Sequence, residues 1–445
     1  YYTIFLAVFQ WFVRYCLNYI MGNPPFVGYS LQDKAQKADI LSIYVDKTGK
    51  PYKAAGKIDY VAGWYFKAAQ IMQDTSIRAA FVSTNSITQG EQVAAIWKPL
   101  YERFNIHIDF AHRTFRWDSE ATLMAHVHCV IVGFSVAPNS KERLLFDNDT
   151  IKKAENINAY LVETEDVFVE SRKKPLCDVP EMTTGNRPAD GGNLIIEAED
   201  YEEFVRKEPN AVKYIKKFMG SVEYINNKDR YCLWLVNISP AELRKMPEVM
   251  KRVELCRQDR LSSPDKGRQK LAETPSVFRE TQNPEQYVIM PKVSSERRRY
   301  IPCGFMNGNV IPSDLVFIIP NATLYHFGVL TSNVHMNWMR AVAGRLEMRY
   351  RYSKDIVYNN FPWCNPTPEQ KARIEKTAQA ILDARVKYPD CSLADLYDDL
   401  TMPPELRKAH QENDRAVMAA YGFNIKITES ECVAELMRMY REMTE

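Results

Sequence analysis

A five-residue string near the start of the sequence combines residue types suited to chemistry on an amine. Gly22-Asn-Pro-Pro-Phe26 offers two oxygen acceptors, the side-chain amide of Asn23 and the backbone carbonyl of Pro24. The exocyclic amine of adenine is a poor nucleophile because its lone pair is delocalised into the ring. Two fixed acceptors for the amine hydrogens would draw that density back onto nitrogen, and the rigidity of Pro24 and Pro25 would fix their geometry. The string predicts an adenine-amine site, with a rigid surface turn as the alternative.

Aromatic side chains near such acceptors indicate a base that has left its double helix. The ring of Phe26 can offset part of the stacking that a base loses when it is swung out of DNA. Phe115 and Trp117 lie two residues apart, and one of them is a candidate for a second stacking surface. Packing inside the protein is the alternative for this pair.

The elements around the string alternate between strand and helix. A helix is expected over residues 57–72, with Tyr60, Val61, Trp64, Ala68 and Ile71 on a face that a sheet must cover. The other predicted elements are strands at 18–22, 77–82, 106–110 and 126–134 and a helix at 88–104 that begins with a Thr88-x-x-Glu91 capping box. This order predicts the second half of a doubly wound α/β sheet, with the Asn-Pro-Pro-Phe loop beyond the carboxyl end of its first strand.

The rest of the chain is expected to form two further domains. Residues 136–150 are typical of a linker, so the divisions are 1–145 for the α/β domain, 146–352 for an α+β domain and 353–445 for a helical domain. Thr367-Pro-Glu-Gln370 begins a predicted helix that ends near residue 386, and two more helices are expected at 403–421 and 429–443.

Composition limits the classes of protein that fit. A chain of 445 residues favours several domains, and a net charge of +2 restricts any nucleic-acid contact to local basic patches. Nine cysteines without a C-x-x-C pair fit neither a disulfide framework nor a zinc site and favour a reducing cytoplasm. The apolar residues 1–17 include Gln10 and Arg14 and are too short for a membrane span, so no membrane partner is expected.

Several longer strings narrow the interpretation to a family. Residues 59–65, 81–92, 113–120, 294–300 and 358–363, together with Gly22-Asn-Pro-Pro-Phe26, resemble the MmeI-like class of fused restriction and modification proteins, which are adenine-specific DNA methyltransferases. The resemblance implies a methyltransferase core, then a DNA target-recognition domain, then a helical C-terminal domain. It also implies S-adenosylmethionine as methyl donor and double-stranded DNA as partner.

The recognition region has its own candidates for DNA contact. The arginine triplet Arg297-Arg-Arg299 suits phosphates and base edges, because guanidinium groups form paired hydrogen bonds with both. Lys292, Ser294 and Ser295 belong to the same candidate surface, with ordinary solvated charge as the alternative. A weaker candidate is a stripe for the DNA backbone on a basic helix expected over residues 241–260, formed by Arg244, Lys245, Lys251, Arg252, Arg257 and Arg260. His126 and His128 have metal-like spacing, but without Cys or carboxylate partners a structural role is favoured and no metal site is predicted.

The chain departs from the family pattern at its start. Family members bind S-adenosylmethionine through a glycine-rich loop and an acidic residue upstream of Asn-Pro-Pro-Phe, whereas only 22 residues precede Asn23. We therefore expect a partial methyltransferase domain whose donor-binding half comes from an upstream polypeptide. A DNA-binding remnant without catalysis is the alternative.

Overall fold

The computed structural model describes residues 17–117, 127–137 and 142–445. They form two compact units, each discontinuous in sequence. Unit 1 comprises the described residues up to Cys177 together with Asn337–Pro362 and Lys426–Glu445. Unit 2 comprises Asp178–Met336 and Trp363–Ile425.

The strands are short outside the first sheet. They are β1 Tyr19–Gly22, β2 Arg78–Thr84, β3 His107–Trp117, β4 Val127–Ser135, β5 Arg143–Asp147, β6 Thr150–Ala154, β7 Thr183–Thr184, β8 Ile195–Glu197, β9 Ile215–Met219, β10 Arg230–Leu233, β11 Gln286–Pro291, β12 Val293–Ser294, β13 Gly304–Asn307, β14 Val310–Pro312, β15 Val316–Pro320, β16 Gly344–Leu346 and β17 Arg349–Arg351.

The longest helices lie towards the end of the chain. The helices are α1 Lys34–Ile43, α2 Ala62–Met72, α3 Glu91–Phe104, α4 Tyr201–Lys207, α5 Ser221–Asn226, α6 Pro240–Leu243, α7 Pro247–Ser262, α8 Lys266–Lys270, α9 Leu324–Leu330, α10 Asn333–Val342, α11 Pro368–Val386, α12 Leu393–Leu396, α13 Pro404–Tyr421 and α14 Glu429–Thr444. None of these described helices is both long and apolar enough to cross a membrane.

Unit 1 contains a six-stranded mixed sheet in the order β1-β2-β4-β3-β5-β6. β1 is parallel to β2, β4 is antiparallel to both β2 and β3, and β5 is parallel to β3. β1, β2, β3 and β5 therefore point the same way and share one carboxyl edge. Position 133 on β4 accepts only glycine, because a Cβ there would lie 2.1 Å from the ring of Phe110 on β3.

Aromatic residues join this sheet to α2 and α3. The Tyr65 ring stacks on Phe134 at 5.2 Å and meets Trp97 edge-on at 5.3 Å. The polar ends of both side chains have buried partners, since Tyr65 bonds to the hydroxyl of Ser83 and the Trp97 indole donates to the carbonyl of Ile87. Burial of such large rings is the main stabilising contribution in this layer.

Unit 2 contains two four-stranded sheets and a group of packed helices. The sheets have the orders β14-β9-β10-β8 and β13-β11-β15-β7, and α7 covers the first of them. Among the helices, α9 packs so closely on α11 that a Cβ at Gly328 would lie 2.7 Å from Ile374. Asn413 on α13 donates to the carbonyl of Gly328 at 2.7 Å and accepts from Thr377 at 3.0 Å, which fixes the three helices together. The expected α/β, α+β and helical regions are all present.

Four local predictions differ from the structure. The helix at Glu91 has Gly90 as its N-cap, with a φ of 59° and no side-chain cap, so the Thr88 capping box is wrong. The linker expected over 136–150 is partly strand, because Arg143–Asp147 pairs with β3 in the main sheet. Pro247 begins a new helix and divides the basic helix expected over 241–260. The buried face of α2 is formed by Tyr65, Phe66, Ala69 and Met72 rather than by Trp64 and Ile71.

Candidate functional site

The Asn-Pro-Pro-Phe loop begins where β1 ends. Gly22 lies opposite Phe81 of β2, so Asn23 leaves the sheet at the shared carboxyl edge, the place expected for a ligand crevice. The Asn23 side chain is exposed, Pro24 is buried and the ring of Phe26 is half-buried. The amide of Asn23 is thus open to a ligand while Pro24 fixes the backbone beside it.

A cavity of ≈ 390 Å³ lies beside this loop. Gly22, Asn23, Pro24 and Pro25 line one side with the preceding residues of β1, and Phe81 of β2 also lines the cavity. The other wall is α2, which contributes Trp64, Lys67, Ala68 and Ile71. The apolar face that the sequence predicts on α2 therefore lines the cavity.

The outer edge of β1 is open in the described part of the chain. β1 is the first strand of its sheet, and its side chains Tyr19 and Met21 are 66% and 77% exposed. Ile71, across the cavity, is 39% exposed. An open parallel edge next to apolar side chains is a surface to which a further strand can add.

Asp59 fixes the segment that follows the loop. Its carboxylate is buried and accepts hydrogen bonds from the backbone N–H of Tyr29 at 2.9 Å, from the Ser86 hydroxyl at 2.5 Å and from the Gln92 amide at 3.2 Å. These donors come from the loop, the turn after β2 and the start of α3. From the sequence, Asp59 was noted only as part of the string 59–65 that resembles the family. Its anchoring role was missed because its hydrogen-bond partners are distant in sequence.

Backbone contacts continue this anchoring. The N–H of Tyr60 donates to the carbonyl of Val27 at 2.9 Å, and the Gln32 side chain donates to the carbonyl of Ile58 at 2.9 Å. Residues 27–32 are thus tied to residues 58–60, immediately beyond the Asn-Pro-Pro-Phe string.

Phe115 and Trp117 lie at the same edge of the sheet but do not line the cavity. Trp117 is 43% exposed, Phe115 is half-buried, and their rings are 6.2 Å apart. Because β4 and β2 lie between β3 and β1, three strand spacings of about 4.8 Å separate these rings from Asn23, roughly 14 Å in all. The stacking role of this pair stays a prediction.

The arginine triplet lies on a loop of unit 2. Arg297 and Arg299 are exposed, whereas Arg298 is half-buried and its burial lowers the pKa of its guanidinium group. Ser294 is 2% exposed and Ser295 accepts from the N–H of Arg297 at 3.2 Å. The ammonium of Lys292 lies 4.6 Å from the centre of the Phe317 ring. Contact of these six residues with DNA stays a prediction, for which Arg297 and Arg299 have the best access.

Tyr300 ends this loop and holds it to the helices of unit 2. Its ring stacks on His410 at 4.1 Å, and its hydroxyl donates to Asp414 at 2.7 Å. His410 Nε2 is in turn 2.8 Å from the hydroxyl of Tyr397, to which Arg385 donates. Tyr300, His410 and Asp414 are all buried, and their connection was not evident from sequence.

Two residues of the predicted basic stripe are turned inward. Arg260 is fully buried and donates to five backbone carbonyls, those of Pro188, Ala189, Leu271, Thr274 and Val277. Arg252 donates to the carbonyls of Asn193 and Ile195. The prediction that the stripe contacts the DNA backbone is therefore wrong for these two residues, because they bind backbone carbonyls in loops of their own unit.

A metal site is not formed among the described residues, where no group of three His, Cys, Asp or Glu side chains is placed to hold an ion. His128 lies on β4 opposite Arg116. His126 lies outside the described residues.

Comparison with known proteins defines the class. Family models match residues 12–147 as the MmeI DNA-methyltransferase domain, 163–365 as the MmeI target recognition domain and 366–445 as the MmeI C-terminal domain. These are the parts of a DNA methyltransferase joined to a domain that selects its DNA target. The chain belongs to the MmeI family.

Two relatives agree with this assignment. DNA methyltransferase A of Bacillus subtilis (strain 168) is 41% identical over 428 residues, which cover 96% of this chain and 48% of that protein. The Type IIL restriction-modification enzyme MmeI, solved in complex with DNA, is 45% identical with a TM-score of 0.89, over 96% of this chain and 57% of the MmeI chain. The chain thus spans about half the length of these relatives.

Proposed function

We propose that this chain supplies the base-binding and DNA-recognition parts of an adenine-specific DNA methyltransferase of a restriction-modification system. The observation that carries the proposal is the position of Asn23, Pro24 and Phe26 at the carboxyl edge of the sheet, beside a cavity of ≈ 390 Å³. This volume is in the range of pockets that hold small ligands.

The chemistry of the chain's own residues follows from that position. The Asn23 side-chain oxygen and the Pro24 carbonyl would each accept one hydrogen of the adenine amine, so that the nitrogen lone pair is available for the transferred methyl group. Acceptors that are fixed before the reaction need no reorganisation as charge develops on the amine. The Phe26 ring would support the flipped base by stacking.

S-adenosylmethionine is the donor implied by the resemblance, but the described residues do not fit it. The residues of this chain that line the cavity are apolar or uncharged apart from Lys67 and include no carboxylate. In related sheets an Asp or Glu binds the ribose hydroxyls and a glycine-rich turn holds the rest of the nucleotide. The donor's cradle therefore has to be built by other residues, and the open edge of β1 is the surface on which an upstream polypeptide would complete the sheet.

The test is methylation of DNA in a host without adenine methylation. The full reading frame that encodes this chain is expressed and host DNA is read by single-molecule sequencing. We expect methyladenine at one sequence motif and a loss of about a hundredfold or more with Asn23→Ala. Asn365→Ala is the matched control, since Asn365 is also exposed and also precedes a proline.

The outcomes separate the proposal from a DNA-binding remnant. No methyladenine from the full reading frame, together with sequence-specific DNA binding, would establish the remnant. Methylation that survives Asn23→Ala would show that Asn23 is not the amine acceptor.

A further inference from the structure

The segment after the base-site loop is strongly basic. Residues 34–57 contain six lysines and two acidic residues, a local charge of six minus two, or +4, while the whole chain carries only +2. We call these residues the lysine segment. Its lysines are all exposed: Lys34, Lys37, Lys47, Lys50, Lys53 and Lys57.

Both acidic residues of the segment accept hydrogen bonds from neighbouring groups. Asp46 accepts from the N–H groups of Thr48 at 2.8 Å and Lys50 at 3.1 Å, and so holds the turn together. Asp39 accepts from the hydroxyl of Tyr60 at 2.9 Å. Within the described residues none of the six lysines forms an ion pair.

The segment has a fixed shape. Val45 and Pro51 form an antiparallel bridge, and the N–H of Tyr52 donates to the carbonyl of Tyr44 at 3.1 Å. The Tyr44 ring is fully buried and its hydroxyl donates to the carbonyl of Ile96. Lys47 and Lys50 therefore lie on a short hairpin whose base is anchored in the core of unit 1.

The two ends of the segment are joined to each other just beyond the Asn-Pro-Pro-Phe string. Gln32, just before it, bonds to Ile58, just after it, and Asp59 holds Tyr29 and the turn after β2. An excess of like charge destabilises a folded surface through repulsion, and an anionic partner removes that cost. A row of lysine ammonium groups spread over a hairpin and a helix suits a polyanion with many phosphates better than a single small anion.

We propose that the lysine segment binds the phosphate backbone of duplex DNA next to the flipped base, without reading sequence. The proposal rests on the proposed function, since it names the surface with which the base-binding region holds its DNA. Each phosphate contact releases counter-ions, so it contributes affinity that falls as salt rises. Sequence selection is left to the recognition unit.

The experiment compares two triple variants of the chain with equal loss of charge. Lys47→Gln, Lys50→Gln and Lys53→Gln, the hairpin triple, remove the two lysine charges of the hairpin and the one that follows it. Lys376→Gln, Lys387→Gln and Lys408→Gln remove three exposed lysines of unit 2 that form no ion pair in the described residues. Binding to two labelled duplexes of unrelated sequence is followed by fluorescence anisotropy over a range of salt concentrations.

A plot of log K against log salt has a negative slope. For the hairpin triple we expect this slope to become shallower by about 2.7, which is 0.9 for each lost contact, on both duplexes alike. The control triple should keep the parent slope, and a Lys→Arg triple at positions 47, 50 and 53 should keep it too. Equal slopes for the hairpin triple and the parent overturn the proposal, as does an equal fall in the control triple. A parent chain that binds no duplex overturns this proposal and the proposed DNA recognition together, whereas methylation with an unchanged slope overturns only this one.

Discussion

The base-site loop of unit 1 and the arginine loop of unit 2 are positioned by different means. Prolines restrict the first loop from within, and one buried carboxylate, Asp59, ties the following segment to the sheet. The second loop has no such internal restriction and is held at Tyr300 by His410 and Asp414, which lie more than a hundred residues later. A covalently restricted site is visible in a short string of sequence, while a site held by distant side chains is visible only in the fold.

Buried histidines should make unit 2, and with it the arginine loop, sensitive to acid. Burial lowers the pKa of His326 to about 4 and of His335 to about 3, and that of His410 well below its usual value. Below pH ~6.5 the unfolded chain therefore binds more protons than the folded one, so stability is full above that pH and is lost as pH falls. At about pH 5 the loss is roughly 2 kcal/mol for His335 alone, and His326 and His410 add to it in the same direction.

Urea unfolding between about pH 5 and pH 7.5 measures this effect. His410→Gln should flatten the pH dependence by its share, because glutamine does not titrate. If the unfolding free energy is the same at about pH 5 and pH 7.5, the buried histidines do not make unit 2 and its arginine loop sensitive to acid.

Asp59→Asn tests the anchor of the base-site loop. The amide keeps the size of the carboxylate but puts N–H groups where Tyr29, Ser86 or Gln92 donate, so we expect unfolding free energy to fall by about 2 to 3 kcal/mol and methylation to fall with it. Asp39→Asn is the control, since this exposed carboxylate accepts from Tyr60 at the surface and its loss should change stability by less than about 0.5 kcal/mol. Equal effects of the two substitutions would mean that Asp59 does not position the loop.

Tyr300→Phe tests the anchor of the arginine loop. The variant keeps the ring on His410 but removes the buried bond to Asp414, and we expect a loss of about 2 kcal/mol in stability with weaker DNA binding. Tyr388→Phe removes a similar bond to Glu405 at an exposed site, where about 0.5 kcal/mol or less is expected. Denaturation and anisotropy of both variants give the comparison, and an unchanged affinity in Tyr300→Phe would separate the loop from DNA binding.

The smallest effect expected is at the triplet itself. Arg297 and Arg299 differ in surroundings, since Arg299 lies 5.7 Å over the Tyr300 ring while Arg297 is at the exposed turn. Alanine at an arginine that reads a base should cost about 1 kcal/mol of discrimination at one position of the motif. Alanine at an arginine that binds a phosphate should instead make the salt dependence of DNA binding shallower by about 1 in log K against log salt. Titration of both variants with the methylated motif and single-mismatch duplexes distinguishes the roles. Parental behaviour of both at every salt concentration would make the triplet ordinary surface charge.

Features that depend on residues close together in the sequence could be predicted, and features that depend on distant residues could not. The helix at Thr367 is correct because its capping box, Thr367 with Gln370, is complete within four residues. The same pattern failed at Thr88, because Gly90 adopts a conformation with positive φ and begins the helix instead. β5 was assigned to a linker since its partner, β3, comes from an earlier part of the chain.

The candidate site shows the same limit. The position of Asn23 after a strand was predictable, because strand and loop are adjacent in sequence. The role of Asp59 and the inward position of Arg260 were not, since both depend on donors or carbonyls brought together by folding. The sequence of a helix does not show whether a charged side chain in it faces water or binds backbone carbonyls.

The discontinuity of unit 1 has a consequence for the order of synthesis. Its last helix, α14, contributes Tyr440 against Trp338 at 5.9 Å and Met437 against Asn158 at 3.2 Å. On a ribosome the first sheet emerges well before these partners, so unit 1 cannot reach its final packing until α14 has been made. A nascent chain stalled before Lys426 would hold a sheet without its closing helix, exposed to chaperones and proteases for the whole time that unit 2 is being made.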